Sequence, residues 1–511
     1  MIDGVTGRIP AAWATARERR FVASLITVLL VALVPRLALA HAHLVRSAPS
    51  AGARLTAAPT EIRLTFSEAP ELAVSLVRLV GPDGMAVPLG TLADAPGTST
   101  VVVAAVRGPL GAGTYTVTWQ VVASDGHPSH GQFAFTVAAD TLPGASGGVA
   151  PRGDAAGRPA PGPAARPRGT SEGASAGAVP GNSPATAFGV ESPWYAAIRW
   201  LQYVGVVLVL GAVAFRYAVL RFLGLARSAD ARPVDAMLLP ALRTGAAQVG
   251  LGATLAVALA AVLRLLAQAS AVQGASIGAL LLHTVWGTGW LLQVVGAVVV
   301  ALGFALARQP RAGGWGLATL GAAALAVAPA LSGHAASAPH WTALVVVADA
   351  AHIVGAGGWL GSLAVVVAVG VPAARRFDPT DRDAVLADLV HAFSPTALVF
   401  AGVVAVTGAF ATWAHVGSVP ALWQTAYGRT LLVKLALLAV VAAAGAYNWR
   451  RVGPTLGTPT GAASGATGAT RLRRSATLEL LVGLLVLAAT AVLVATPPPV
   501  ELHATAQEAA R

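Results

Sequence analysis

The chain has 511 residues, 34 basic and 22 acidic side chains for a net charge of +12, and no cysteine. Only 11% of it is charged and 55% is hydrophobic, against roughly 25% charged in soluble proteins, so much of it faces something other than water. Disulfides, thiolate zinc sites, Fe–S clusters and cysteine nucleophiles are excluded, and three methionines are too few for a thioether cage for Cu(I).

The first forty residues read as a secretory leader. Arg8, Arg17, Arg19 and Arg20 precede an apolar stretch from Phe21 to Val34, and Ala38-Leu39-Ala40 comes next as a small-x-small cleavage site. The apolar stretch is short for a membrane crossing of roughly 20 residues. Cleavage after Ala40 is expected to make His41 the mature N-terminus, on the far side of the membrane.

Residues 41–140 alternate with period two: Ile62, Leu64, Phe66; Val74 to Val80; Val101 to Val106; Tyr115, Val117, Trp119, Val121; and Phe133, Phe135, Val137. Turn residues such as Gly81-Pro82-Asp83-Gly84 punctuate the runs. The pattern predicts an all-β, immunoglobulin-like sandwich. Residues 141–192 are mostly Ala, Gly, Pro, Ser and Arg and read as a flexible linker. Its r.m.s. reach of about 40 Å lets the sandwich touch the outer surface of the C-terminal domain.

From 193 to 498 eight apolar spans are predicted, centred near 207, 255, 295, 322, 355, 403, 438 and 487, with a short tail at 499–511. Alternate loops carry Arg221, Arg227 and Arg232; Arg308 and Arg311; Arg375, Arg376 and Arg382; and Arg450, Arg451, Arg471, Arg473 and Arg474. The loops between spans on the other face carry none, Arg429 lying at a helix start. Positive charge marks the cytoplasmic side, so the sandwich is expected outside the cell membrane. That placement accounts for the basic excess, and no nucleic-acid partner is expected. Nor is a nucleotide expected, since no Gly-x-x-x-x-Gly-Lys-Ser/Thr motif occurs.

Three features of the sandwich carry chemistry: His41, Glu68 in Leu64-Thr65-Phe66-Ser67-Glu68, and Asp125-Gly126-His127-Pro128 before the last strand. An N-terminal His chelates through its α-amine and Nδ1, and a distant Asp-x-His can complete a tetragonal N,O set, which favours Cu(II). Alone, Asp-Gly-His-Pro is usually a turn. His43 and His130 are either surface residues or auxiliary metal contacts.

Ionisable residues inside a span are costly and point to function. Asp349 and His352 share a helical face at i, i+3, about 12 and 16 Å in from Trp341 at about 1.5 Å per residue. They form either a structural pair or a metal or proton relay. His283, His334, His340 and His415 fall at outer ends or loops, and His391 near the inner end of span six. Together they make a possible stepwise ion path, with His334 the strongest of the outer group. Lys434 can snorkel or pair with Asp349.

Residues 41–140 resemble CopC, the periplasmic copper-binding sandwich, in His41-Ala42-His43-Leu44, Ser47-Ala48-Pro49, the Leu-Thr-Phe-Ser-Glu block and the Asp-Gly-His-Pro block. The resemblance implies Cu(II) held by His41, Asp125 and His127, with Glu68 near the terminal amine and no Met-rich Cu(I) motif. Residues 194 to about 500 resemble CopD, the inner-membrane partner. The resemblance rests on Ser332-Gly333-His334-Ala335, on the stretch Ala351 to Gly361, on Tyr427 to Lys434, and on Thr490 to Pro498. A CopC–CopD fusion is expected to act in copper uptake or homeostasis in a bacterial inner membrane, and not as an enzyme. Two other readings stay open: a polysaccharide-type copper monooxygenase built on the terminal His, and a membrane electron-transfer protein with haem on His352.

Overall fold

The computed structural model describes residues 43–124, 126–138, 192–227, 234–272, 274–309, 313–333, 335–336, 341–448, 450, 465–496 and 499. The expected leader and linker, His41, Asp125, His334 and His340 lie outside the described residues.

The alternation at Ile62, Leu64 and Phe66 places those side chains inward and Glu61, Arg63 and Thr65 outward, and this face-sorting builds the sandwich. One sheet orders β1 (Leu44–Ala48), β3 (Glu61–Phe66), β7 (Thr98–Ala105) and β6 (Ala93–Ala95). The other orders β2 (Arg54–Leu55), β9 (Pro128–Val137), β8 (Gly113–Val122), β4 (Leu76–Val80) and β5 (Ala86–Val87). Between them Phe66 packs edge-on against Trp119 at 5.3 Å, and Tyr115 stacks on Phe135 at 5.6 Å.

One predicted strand differs. Val74 to Val80 was expected as a single extended run, but Leu72–Val74 coils into a 3₁₀ turn before β4. The turn faces Val74 away from the sheet and into a second apolar cluster with Val122, Val272, Leu280 and Trp286. The last three belong to the membrane domain, so tertiary packing overrides the local strand pattern here.

Eight helices among the described residues are long and apolar enough to cross a bilayer: α1 Pro193–Gly224, α2 Asp235–Ala271, α3 Val285–Ala307, α4 Gly314–Leu331, α5 Thr342–Ala374, α6 Pro379–Val416, α7 Ala426–Tyr447 and α8 Arg474–Val494. A short helix, Ile277–Leu282, precedes α3. The chain is a multi-pass membrane protein. Helices α1 and α5 cross backbone to backbone at Gly211 and Gly361, where a Cβ on Gly361 would lie 2.0 Å from the Val207 carbonyl oxygen. Small residues permit this approach, the usual basis of tight packing where lipid removes the hydrophobic drive between helices. Two π-turns, Gly357–Gly361 and Val366–Gly370, interrupt α5 just past His352. Such insertions recur at functional positions.

Candidate metal centre

His43, Glu68 and the turn bearing His127 are tied to one another through the segment 67–71 at one end of the sandwich. Ser67 follows β3, and its N–H donates to the His43 carbonyl while its Oγ accepts from the His43 N–H, both at 2.9 Å. The N-terminal end of β1 is thereby pinned beside Glu68. Two residues on, Pro70 bridges Ala123, and the Glu71 N–H donates to the Val122 carbonyl at 2.7 Å. Ala123 begins the turn that carries His127: its N–H donates to the His127 carbonyl at 3.0 Å, and its own carbonyl accepts from Gly126 at 2.9 Å. The segment 67–71 thus stitches the β1 end to the β8–β9 turn, with Glu68 between them.

His127 and Glu68 are half-buried, whereas His130 is exposed on β9, where it pairs in register with Gln120. No group of three His, Cys, Asp or Glu side chains with metal-holding geometry occurs among the described residues. Two of the three expected ligands, His41 and Asp125, are not among them. Among the described residues the backbone brings the His43 end, Glu68 and the His127 turn to one end of the sandwich.

The same turn sits on the membrane domain. Gly126, at φ +90°, lies on the indole of Trp286, and its carbonyl accepts a hydrogen bond from Gln268 Nε2 on α2. Beside it, Glu71 Oε1 accepts from the backbone N–H of Val285 at 3.0 Å. That N–H opens α3, so the carboxylate also meets the positive end of a helix dipole.

Beneath the turn lies a polar group that the histidine-centred reading missed. Arg264 on α2 is wholly buried and donates from Nη1 to Gln293 Oε1 at 2.8 Å and from Nη2 to Ser332 Oγ at 3.0 Å. Gln202 Nε2 on α1 donates to the same Gln293 oxygen at 2.8 Å. Arg199, one turn from Tyr203, places its guanidinium 5.5 Å from the Tyr203 ring centre and packs toward Gly333. The signal was present in the sequence as polar side chains inside apolar spans, each costly alone.

Deeper in the bundle, His352 Nδ1 shares a 2.9 Å hydrogen bond with Thr407 Oγ1 on α6. Asp349 and Lys434 lie within electrostatic reach of each other, and Lys434 within reach of His352. Helices α5 and α7 therefore supply the ionisable groups of one cluster, and α6 supplies a hydroxyl bonded to its imidazole. Among the described residues the other expected path histidines lie elsewhere: His283 and His391 are exposed, and His415 Nδ1 is bonded to the Ala411 carbonyl of its own helix at 2.8 Å. A further buried carboxylate, Glu479 on α8, accepts from Asn448 Nδ2.

Comparison with known proteins agrees with this architecture. Residues 44–138 match the CopC domain, 190–343 the N-terminal domain of copper resistance protein D-like proteins, and 387–493 copper resistance protein D. The chain is 24% identical over 496 residues to copper transport protein CutJ of Bacillus subtilis, covering 93% of this chain and 78% of that one. Copper resistance protein C of Escherichia coli is 42% identical over 108 residues, 20% of this chain and 83% of its own. Among solved structures, the crystal structure of PcoC, a methionine-rich copper resistance protein from Escherichia coli, is 37% identical, covering 19% of this chain and 99% of that one at a TM-score of 0.18. The chain belongs to the copper resistance family, with a CopC domain and a CopD membrane domain fused in one polypeptide.

Proposed function

We propose that the sandwich captures Cu(II) outside the inner membrane and hands it to the helical domain for import. The ligands in this reading are the α-amine and imidazole of His41, exposed by leader cleavage, together with Asp125 and His127, while Glu68 orients the amine. His43 and His130 play at most an auxiliary part. The arginines of the alternate loops support an orientation with the sandwich outside and the Arg375-Arg376 side in the cytoplasm.

One observation carries the reading: the turn bearing His127 is gripped by the membrane domain through Gln268 and Trp286. A copper site with only a storage role has no reason to face the mouth of a helical bundle. From there, the half-buried cluster of His352, Asp349 and Lys434 supplies an imidazole and a carboxylate near the bilayer midplane, with His334 and His340 as receivers at the mouth and His283, His415 and His391 as lesser stations.

The test has two arms. His127→Ala and His41→Ala in the full chain are expected to abolish tight Cu(II) binding, measured by chelator competition. In proteoliposomes, isotopic copper uptake is expected to collapse in His352→Ala. Parent-like binding in both sandwich variants would overturn the site, and parent-like uptake in His352→Ala would move that residue to a structural role.

A further inference from the structure

Two buried arginines, Arg264 and Arg199, lie within electrostatic reach of each other under the turn that bears His127, and Arg264 is the one in contact with the groups that hold the turn. Arg264 is one helical turn from Gln268 on α2, so its guanidinium is on the order of 6 Å deeper along the axis than the amide holding the copper-binding turn. It stacks at 5.5 Å on Trp286, the same indole that supports Gly126. The Tyr195 side chain hydrogen-bonds Arg264 and lies within electrostatic reach of His127 and Arg199. The turn and the guanidinium therefore share one buried mouth.

The charge is not explained by its bonds. Its hydrogen-bond partners among the described residues are Gln293, Ser332 and Tyr195, none of them a carboxylate, and its Nε has no partner there. A guanidinium does not deprotonate, and a buried cation with no carboxylate among its hydrogen-bond partners is a net cost to the fold. If only hydrogen bonding were needed, a neutral amide would serve at lower cost. What a fixed cation does that an amide cannot is repel another cation, and in a low-dielectric mouth it repels a doubly charged ion strongly.

We propose that Arg264 is the release group of the handover: docking carries the loaded turn against its charge, weakens copper binding there, and sends the ion onward. The inference rests on the copper site proposed above at His127. It makes the undocked sandwich the tight binder and the docked one the loose binder. Copper and docking then oppose each other, since a coupling between two equilibria acts equally in both directions.

The test uses the full chain in detergent, with Cu(II) affinity read by chelator competition. Arg264→Gln is expected to bind Cu(II) more tightly than the parent by roughly tenfold or more. Leu280→Asp, which breaks the docking cluster without touching Arg264, is expected to tighten binding to a similar extent. Hydrogen exchange in the Ile277–Leu282 helix is expected to quicken when Cu(II) is added to the parent and to stay unchanged in Arg264→Gln. Affinities in both variants no tighter than the parent's would overturn the inference, and Leu280→Asp alone decides it if Arg264→Gln does not fold. His127→Ala separates the two claims. If it loses tight binding while Arg264→Gln matches the parent, the release role fails and the site stands; if it binds as the parent does, the site itself fails.

Discussion

Gly126 and Trp286 are in direct contact across the two domains: a Cβ on Gly126 would fall 2.4 Å from Trp286 Cδ1, and the residue holds φ +90°, which side chains other than glycine's rarely adopt. Both the backbone conformation and the space demand glycine. Gly126→Ala is expected to weaken docking by about 1–3 kcal/mol through overpacking and strain. The chain has no native cysteine, so a Val74→Cys, Leu280→Cys pair provides the sole thiols for a bismaleimide cross-link within the docking cluster. The yield should be high in the parent background and low with Gly126→Ala; equal yields would mean that the contact does not govern docking.

Glu71 is the electrostatic half of the same contact. Its carboxylate caps the Val285 N–H at the start of α3, a position where a negative charge is worth about 0.3–1 kcal/mol and a positive one costs a similar amount. Glu71→Gln is expected to lower the same cross-link yield modestly and Glu71→Lys strongly. The difference should shrink in high salt, because exposed charges are screened. Identical yields for Gln and Lys would reduce Glu71 to a hydrogen-bond acceptor.

How much of this was legible in the sequence depends on where each feature is encoded. Inward positions such as Ile62, Leu64 and Phe66 repeat every second residue, and the eight spans are runs of apolar residues, so both domains are written locally. Docking is not. Val74 reads as the start of a strand, and only the presence of Val272 and Leu280 explains why it turns aside. The polar group under the His127 turn was hidden for a related reason. Gln202, Arg264 and Gln293 lie on three different helices, and their shared hydrogen bonds exist only after packing. Residue type drew attention to the histidines instead, and of those in the spans only His352 bonds a neighbouring helix among the described contacts.

The crossing of α1 and α5 falls at Gly361, on the same helix as His352. A side chain at Gly361 would strike the Val207 carbonyl at 2.0 Å and Gly211 Cα at 2.9 Å. Backbone atoms cannot step aside as a flexible side chain can, so Gly361→Val is expected to lower stability by about 3 kcal/mol or more, at the upper end for overpacked cores. Thermal unfolding in detergent should show a clearly lower midpoint than for Gly402→Ala, where nothing lies within 4 Å of the added methyl. Equal midpoints would mean that the helices do not cross here.

Thr407 offers a way to separate the chemistry of His352 from its packing. The hydroxyl bonds His352 Nδ1 at 2.9 Å and also donates to the Val403 carbonyl at 2.6 Å. With its proton given to the backbone, it is placed to accept from the ring, which would leave Nε2 as the nitrogen able to bind a metal. Thr407→Val keeps the shape and removes that acceptor, at a stability cost of about 1 kcal/mol. Thr407→Ser keeps the hydroxyl. If His352 receives copper through a fixed tautomer, proteoliposome uptake should fall severalfold in Thr407→Val, and Thr407→Ser should restore most of it while thermal midpoints stay close together. Uptake that tracks the thermal midpoint instead of the hydroxyl would show that the bond only braces α5 against α6.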